Sequence, residues 1–207
     1  MTFDEDHRAA LHDLLKWRRD VRHFRDEKLP DHAAEVLRTA MALAPSVGNA
    51  RPWRVIEVQS SAVRARIRAN FEAANARAAA RYSGERGTKY AALKLAGLDR
   101  APLQLAIFNT PDPDEGHGLG RASIPETVLQ STAMAIFALW LTARAHNWGV
   151  GMVSILDPAL VERDLTAPEG WRFAAYLCIG WPERDDDTPL LHRAGWQENT
   201  EREWRRA

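Results

Sequence analysis

An α+β fold built around one sheet is what this sequence predicts, and three observations carry that prediction. Short stretches that read as strands recur at 53–58, 103–110, 149–156 and 171–181. The helical periodicities between them differ widely in length, and two of them precede the first strand. Strand and helix therefore do not alternate regularly, as a βαβ fold would require.

The elements follow in order. Leu11, Leu14 and Leu15 fall at helical spacing within 5–19, so an amphipathic helix runs into the cationic stretch WRRDVRHF. Pro30 restarts the chain, Asp31 is the expected N-cap, and Val36, Leu37, Ala40 and Met41 form an apolar stripe. APSVGNARPW (44–53) has loop chemistry, and WRVIEV reads as a strand. A long Ala- and Arg-rich helical stretch runs from Ala62 to about Tyr82, breaks at Ser83-Gly84 and resumes to about Gly97. LQLAIFNT is the second strand, PDPDEGHGLG a loop, and Thr127 to His146 a strongly apolar helix. GVGMVSIL enters a third strand, a short helix lies near 158–165, and WRFAAYLCIGW is the fourth strand. From Pro182 the chain is charged and aperiodic, an arm with two tryptophans that is expected to pack on something such as a partner subunit. No repeat or linker interrupts 1–207, so a single domain is expected.

Composition narrows the function. Lys+Arg 28 balance Asp+Glu 28, which gives no polyanion-binding surface. Arg64, Arg66 and Arg68 read as a solvated helix face with no interleaved aromatic platform, so no nucleic-acid partner is expected. The acidic, polar start is unlike a signal peptide, and no apolar run reaches the roughly 18 residues of a membrane span. A cytoplasmic protein without a membrane partner is the expectation. Cys178 is the single cysteine and sits in the apolar YLCIG, so a buried strand residue is expected rather than a disulfide or CxxC site.

Motifs for the commoner chemistries are missing. There is no HExxH, no Cys/His cluster for a metal and no GxSxG elbow. GHGLGR puts Arg121 where a dinucleotide fingerprint needs its third glycine. Either the protein binds without reacting, or its chemistry belongs to a bound organic group. Three polar segments remain. Arg18, Arg19 and Arg22 suit a phosphate or another delocalised anion. Pro45-Ser46-Val47-Gly48-Asn49 offers a hydroxyl, an amide and a glycine for close approach to a flat ligand. Gly149 to Ser154 offers backbone donors and a further hydroxyl. Each has a bland reading as helix end, turn or tight packing; together they favour a phosphorylated planar ligand.

RRDVRHF, APSVGNARPW, RYSGERGTKYAALKLAGLDRAPLQ (81–104) and GVGMVSIL resemble the nitroreductase-like flavoprotein family over nearly the whole chain. Asp20 after the two arginines, with SGER-x-x-KY-x-x-LKL-x-G and VSI, is similar to a narrower branch. That branch fragments reduced FMN with dioxygen to 5,6-dimethylbenzimidazole, the lower ligand of cobalamin. The resemblance implies a central, mixed but mainly antiparallel sheet flanked by helices, an extended C-terminal arm at about 182–207 and a homodimer. It implies reduced FMN as substrate, dioxygen as co-substrate, no metal, and a separate flavin reductase as supplier.

Residue roles are likewise implied. Arg18, Arg19, Val21 and Arg22 would hold the ribityl phosphate and ring edge, with Pro45, Ser46, Val150, Gly151 and Met152 lining the flavin. Asp20 would relay protons and Ser154 would donate to the ring, as the catalytic pair. Gly48 would leave room for dioxygen. A lid at about 81–97 would exclude water, with Ser83, Tyr90 and Lys94 as candidates for substrate contact. Met152 and Arg51 depart from the branch's usual tryptophan and glutamine, and Arg193 could replace a basic C-terminal residue where Gln197 stands. Two readings compete: an NAD(P)H-dependent nitroreductase or flavin reductase that retains its FMN, and a flavin-binding module without turnover.

Overall fold

The computed structural model describes residues 1–93 and 95–206. Helix α1 (Glu5–Trp17) is capped by Asp4, whose carboxylate accepts from the His7 amide at 3.1 Å, yet none of its residues is buried. Helix α2 (Ala33–Ala42) begins one residue later than the expected Asp31 cap allows. The residue at its N-cap is His32, which makes no side-chain cap bond. The carbonyl of Pro30 instead accepts from the Ala33 amide at 2.9 Å. Strand β1 (Trp53–Glu57) follows a 3-10 turn at Val47–Asn49.

Helices α3 (Ser61–Ala79) and α4 (Gly84–Ala92) flank the break at Ser83. Helix α4 stops short of the expected Gly97, because Leu93 is already extended at ψ 127°. Beyond it Ala96 and Leu98 turn into the core, and a Cβ on Gly97 would lie 2.3 Å from the Phe24 ring. Strand β2 (Leu103–Asn109), helix α5 (Thr127–Ala145), strand β3 (Gly149–Val153), helix α6 (Pro158–Asp164) and strand β4 (Arg172–Gly180) complete the body. The arm carries one short helix, α7 (Leu190–Arg193).

The sheet has the order β1-β2-β4-β3, and every neighbouring pair is antiparallel. Among the described residues, the expected mixed character reduces to one isolated parallel bridge, Asp20 to Val150. Side chains alternate along β2 and β4, as strand geometry dictates. Leu105, Ile107, Leu177 and Ile179 pack with α2 and α5, whereas Phe108, Tyr176 and Cys178 pack with α3 and α6. A sheet covered on both faces explains why β2 is buried along its whole length. Burial pushes the Cys178 thiol up to about 12, in keeping with its expected place in a strand.

Two further expectations need correcting. Arg64 does not merely face solvent: its guanidinium donates to the carbonyls of Val58 at 2.7 Å and Pro102 at 2.9 Å, tying α3 to the sheet ends. Helix α5 is long and apolar enough, by those two measures, to cross a membrane. Here it is the central packing helix, with Val128, Ala135, Ile136, Leu139 and Ala143 buried.

Candidate functional site

The segment after α1 leaves the helix and lies along the open edge of the sheet. Arg18 is extended (φ −71°, ψ 114°), although its amide still donates to Leu14 at 2.9 Å. The Val21 amide then donates to the Val150 carbonyl at 3.0 Å, and Arg25 donates to Trp181 at 2.9 Å. The glycines of β3 make this possible. A Cβ on Gly151 would sit 2.1 Å from the Val21 carbonyl oxygen, and one on Gly149 would sit 2.8 Å from the Val21 side chain. These glycines are therefore accounted for by close packing of two backbones.

That packing fixes Asp20. One carboxylate oxygen accepts from the Met152 amide at 3.0 Å. The other accepts from Arg22 through Nη2 at 2.6 Å and Nε at 3.2 Å. Arg22 is the more enclosed partner, with 12% of its side chain exposed against 34% for Asp20. A carboxylate gripped from both sides has its orientation set before any ligand arrives, which is the condition for positioned acid–base work.

Arg18 and Arg19 face another way. The Arg18 guanidinium lies over the rings of Trp140 (5.1 Å) and Phe137 (5.7 Å) of α5. Arg19 donates to the carbonyls of Arg18 at 2.8 Å and Asp187 at 2.6 Å, while Trp140 Nε1 donates to the Arg19 carbonyl at 3.2 Å. Burial, and next the charge of Arg18, lower the Arg19 pKa; Asp187 and Asp186 act in the opposite direction. The Nε atoms of Arg18 and Arg19 are buried without a hydrogen-bond partner among the described residues. Buried donors left unpaired are costly, so they mark a place where an acceptor belongs. The two residues line a cleft of about 60 Å³ whose far side is the arm, where Arg184 and Arg193 stand among Asp185 and Asp186. Such a volume admits a phosphate-sized group but not a whole cofactor, for which roughly 300 Å³ or more is usual.

The other expected residues are distributed around this centre. In the 45–51 loop, Gly48, Asn49 and Arg51 have φ values of 56°, 55° and 45°. Ser46 Oγ accepts from the Arg51 amide, and Ser131 of α5 accepts from Val47, each at 3.0 Å. Pro45 is exposed. In the direction of a Cβ, Gly48 meets the Gly116 carbonyl at 3.0 Å, so that side of the glycine is filled by the 116–119 backbone and is not open to dioxygen. The loop anchors at Ser131 and the arginine cluster at Trp140, about 13 Å apart along α5. Val150 is buried, Met152 is 41% exposed, and Ser154 lies exposed just beyond β3.

The expected lid contains α4. Ser83 is exposed and makes no cap bond, while the Tyr90 hydroxyl donates to Asn75 at 2.7 Å and its ring stacks on Tyr82 at 4.8 Å. Lys94 lies outside the described residues. Among the described residues, no group of three or more His, Cys, Asp or Glu side chains is placed to hold a metal ion.

Sequence reasoning missed Phe137, Trp140 and the acidic run Asp185-Asp186-Asp187. The run was visible as a charge block, but nothing local says that it docks on the arginines. Trp140 lies on the same helical stripe as Ile136 and Ala143, so it reads as core.

With this geometry in place, comparison with known proteins is decisive. The Nitroreductase family model matches residues 15–181. The chain belongs to the nitroreductase family. A 5,6-dimethylbenzimidazole synthase of Rhodobacter capsulatus is 62% identical over 206 residues, covering 100% of both chains. One of Rhodospirillum rubrum is 50% identical over 195 residues, covering 94% of this chain and 92% of that one. Among solved structures of this family's fold, oxidised iodotyrosine deiodinase bound to FMN and 3-iodo-L-tyrosine matches with TM-score 0.72 at 24% identity, covering 85% of this chain and 91% of that one. A BluB-like flavoprotein from Clostridium difficile 630 matches with TM-score 0.68 at 18% identity, covering 86% and 93%.

Proposed function

We propose that this protein is an oxygen-dependent enzyme that consumes reduced FMN and fragments it to 5,6-dimethylbenzimidazole, the lower ligand of cobalamin. The observation that carries the reading is the full-length, 62% identity to a protein named for making that product. The geometry supports it at three points. The unpaired Arg18 and Arg19 donors suit the flavin phosphate. Asp20, fixed by Arg22 and the Met152 amide, sits where a carboxylate can hold and pass protons. The 45–51 loop and exposed Met152 and Ser154 supply a surface for a flat ring.

In this reading FMN is spent, dioxygen is co-substrate, and a separate flavin reductase supplies the reduced form. The acting unit is a homodimer, with flavin completed by the partner. Only 39% of the most apolar stretch of α5 is buried within one chain, and Phe137, Met134 and Leu129 are exposed, as are Leu11 and Leu15 of α1. A patch of this kind is suited to a second copy. A buried, lone Cys178 fits a cytoplasmic setting.

Incubation with chemically reduced FMN in air tests the proposal. 5,6-Dimethylbenzimidazole in the mass spectrum is the expected result. Recovery of oxidised FMN and peroxide alone overturns it in favour of a flavin-retaining reductase or a binding module.

A further inference from the structure

The arm joins two places that the fold otherwise keeps apart. Its first stretch is held on the basic cluster from several directions. Arg144 lies 2.5 Å from Asp185, Arg193 lies 2.8 Å from Asp186, and Lys16 lies 3.4 Å from Asp187. Arg19 adds its 2.6 Å hydrogen bond to the Asp187 carbonyl. The run is braced internally too, since the Thr188 amide donates to Asp186 at 2.8 Å.

From there the chain turns directly into α7 and back. Ala194 donates to Leu190 at 2.9 Å and Trp196 donates to Leu191 at 2.9 Å, so the tryptophan is fixed relative to the short helix. Its indole then meets α4 and the residues before it. The ring stands edge-on to Tyr82 at 5.2 Å and tilted to Tyr90 at 5.9 Å, and the Arg86 guanidinium covers it at 5.1 Å. Those two tyrosines are stacked on each other, so one indole closes a three-ring cluster.

We infer that the pairing of Asp185, Asp186 and Asp187 with the basic cluster sets the position of α4, and that Trp196 is the positioning residue that transmits it. The physical case is continuity. The Asp186–Arg193 ion pair bridges the Thr188–Pro189 link to α7, and from Pro189 to Trp196 the chain is hydrogen-bonded or helical, so releasing the aspartates frees α7, and freeing α7 withdraws the indole from Tyr82 and Tyr90. An anion that competes for Arg19 or Arg193 acts on the same joints, and linkage makes the effect reciprocal. The inference does not depend on what that anion is, nor on the reaction proposed above.

Hydrogen exchange on the full-length protein without ligand tests it. Asp185→Asn, Asp186→Asn and Asp187→Asn combined should speed exchange on the order of fivefold, both at 184–193 and at the α4 amides. Trp196→Ala should speed exchange at α4 while leaving 185–188 at the wild-type rate, and Trp196→Phe should restore α4 protection by keeping a ring in place. Wild-type exchange at α4 in the triple variant overturns the inference, as does equal loss in the alanine and phenylalanine variants. Where the β2 amides also lose protection the triple variant has unfolded globally, and the single Asp186→Asn variant is then read by the same two criteria.

Discussion

The edge of the sheet at β3 and the α4–arm region are both built from charged, loop-rich sequence, yet they are held in opposite ways. At the edge, backbone meets backbone: Val21 bonds Val150, and Gly149 and Gly151 leave no space for a side chain. At α4, side chains do the holding, through Tyr90 to Asn75, the tyrosine stack and the Trp196 ring. Backbone ladders position atoms closely and tolerate little change. Ring contacts and exposed ion pairs are each weak and can be exchanged. The chain thus keeps its proposed proton-handling carboxylate on the rigid side and its proposed cover on the adjustable side.

The largest effect should come from Asp20→Asn. Both Asp20 oxygens accept hydrogen bonds, so the amide must turn an NH₂ group toward the Met152 amide or toward Arg22. Benzimidazole formation should fall on the order of 100-fold or more, as measured by single-turnover product yield; unchanged yield would remove Asp20 from the mechanism.

Next is a glycine contrast. Gly151→Ala drives a methyl to 2.1 Å from the Val21 carbonyl and should cost about 1–3 kcal/mol or more in denaturant unfolding. Gly84→Ala, which has open space but φ +55°, should cost about 1 kcal/mol from backbone strain alone. Equal costs would mean that the edge is as yielding as α4.

Tyr90→Phe is smaller again. It deletes the bond to Asn75 while keeping the stack, and should cost about 0.5–1.5 kcal/mol in the same assay.

The smallest effect at neutral pH lies in β4. The folded Cys178 thiol keeps its proton to about 12, whereas the ordinary value is 9.0. Between these values the unfolded chain binds fewer protons. The Cys178 contribution is therefore complete below pH 9.0 and is lost as pH rises toward about 12. Cys178→Ala should flatten the alkaline fall in stability and leave its neutral-pH slope unchanged.

The sequence disclosed the strands and the long helices well, because burial on both faces writes unbroken apolar runs at 105–108 and 173–179. It overextended α4 because Ala-, Lys- and Leu-rich chemistry favours helix locally, while Gly97 against Phe24 is a tertiary demand with no local signature. At the candidate site, the arginines and Asp20 were legible as a motif, but the reason for Gly151 was not, since it depends on the Val21 backbone 130 residues away in the chain. The arm's docking was illegible for a related cause: the aspartates at 185–187 look like any solvated charge block until Lys16, Arg144 and Arg193 are seen around them.

Helix α5 carries a consequence for how the molecule comes into being. Its nineteen residues emerge as an apolar rod before β4, the strand whose Leu177 and Ile179 share its core, has been made. During that interval the rod is attracted to any oily surface, lipid and chaperone included. Translation beside detergent micelles should therefore divert more chains than translation in plain buffer.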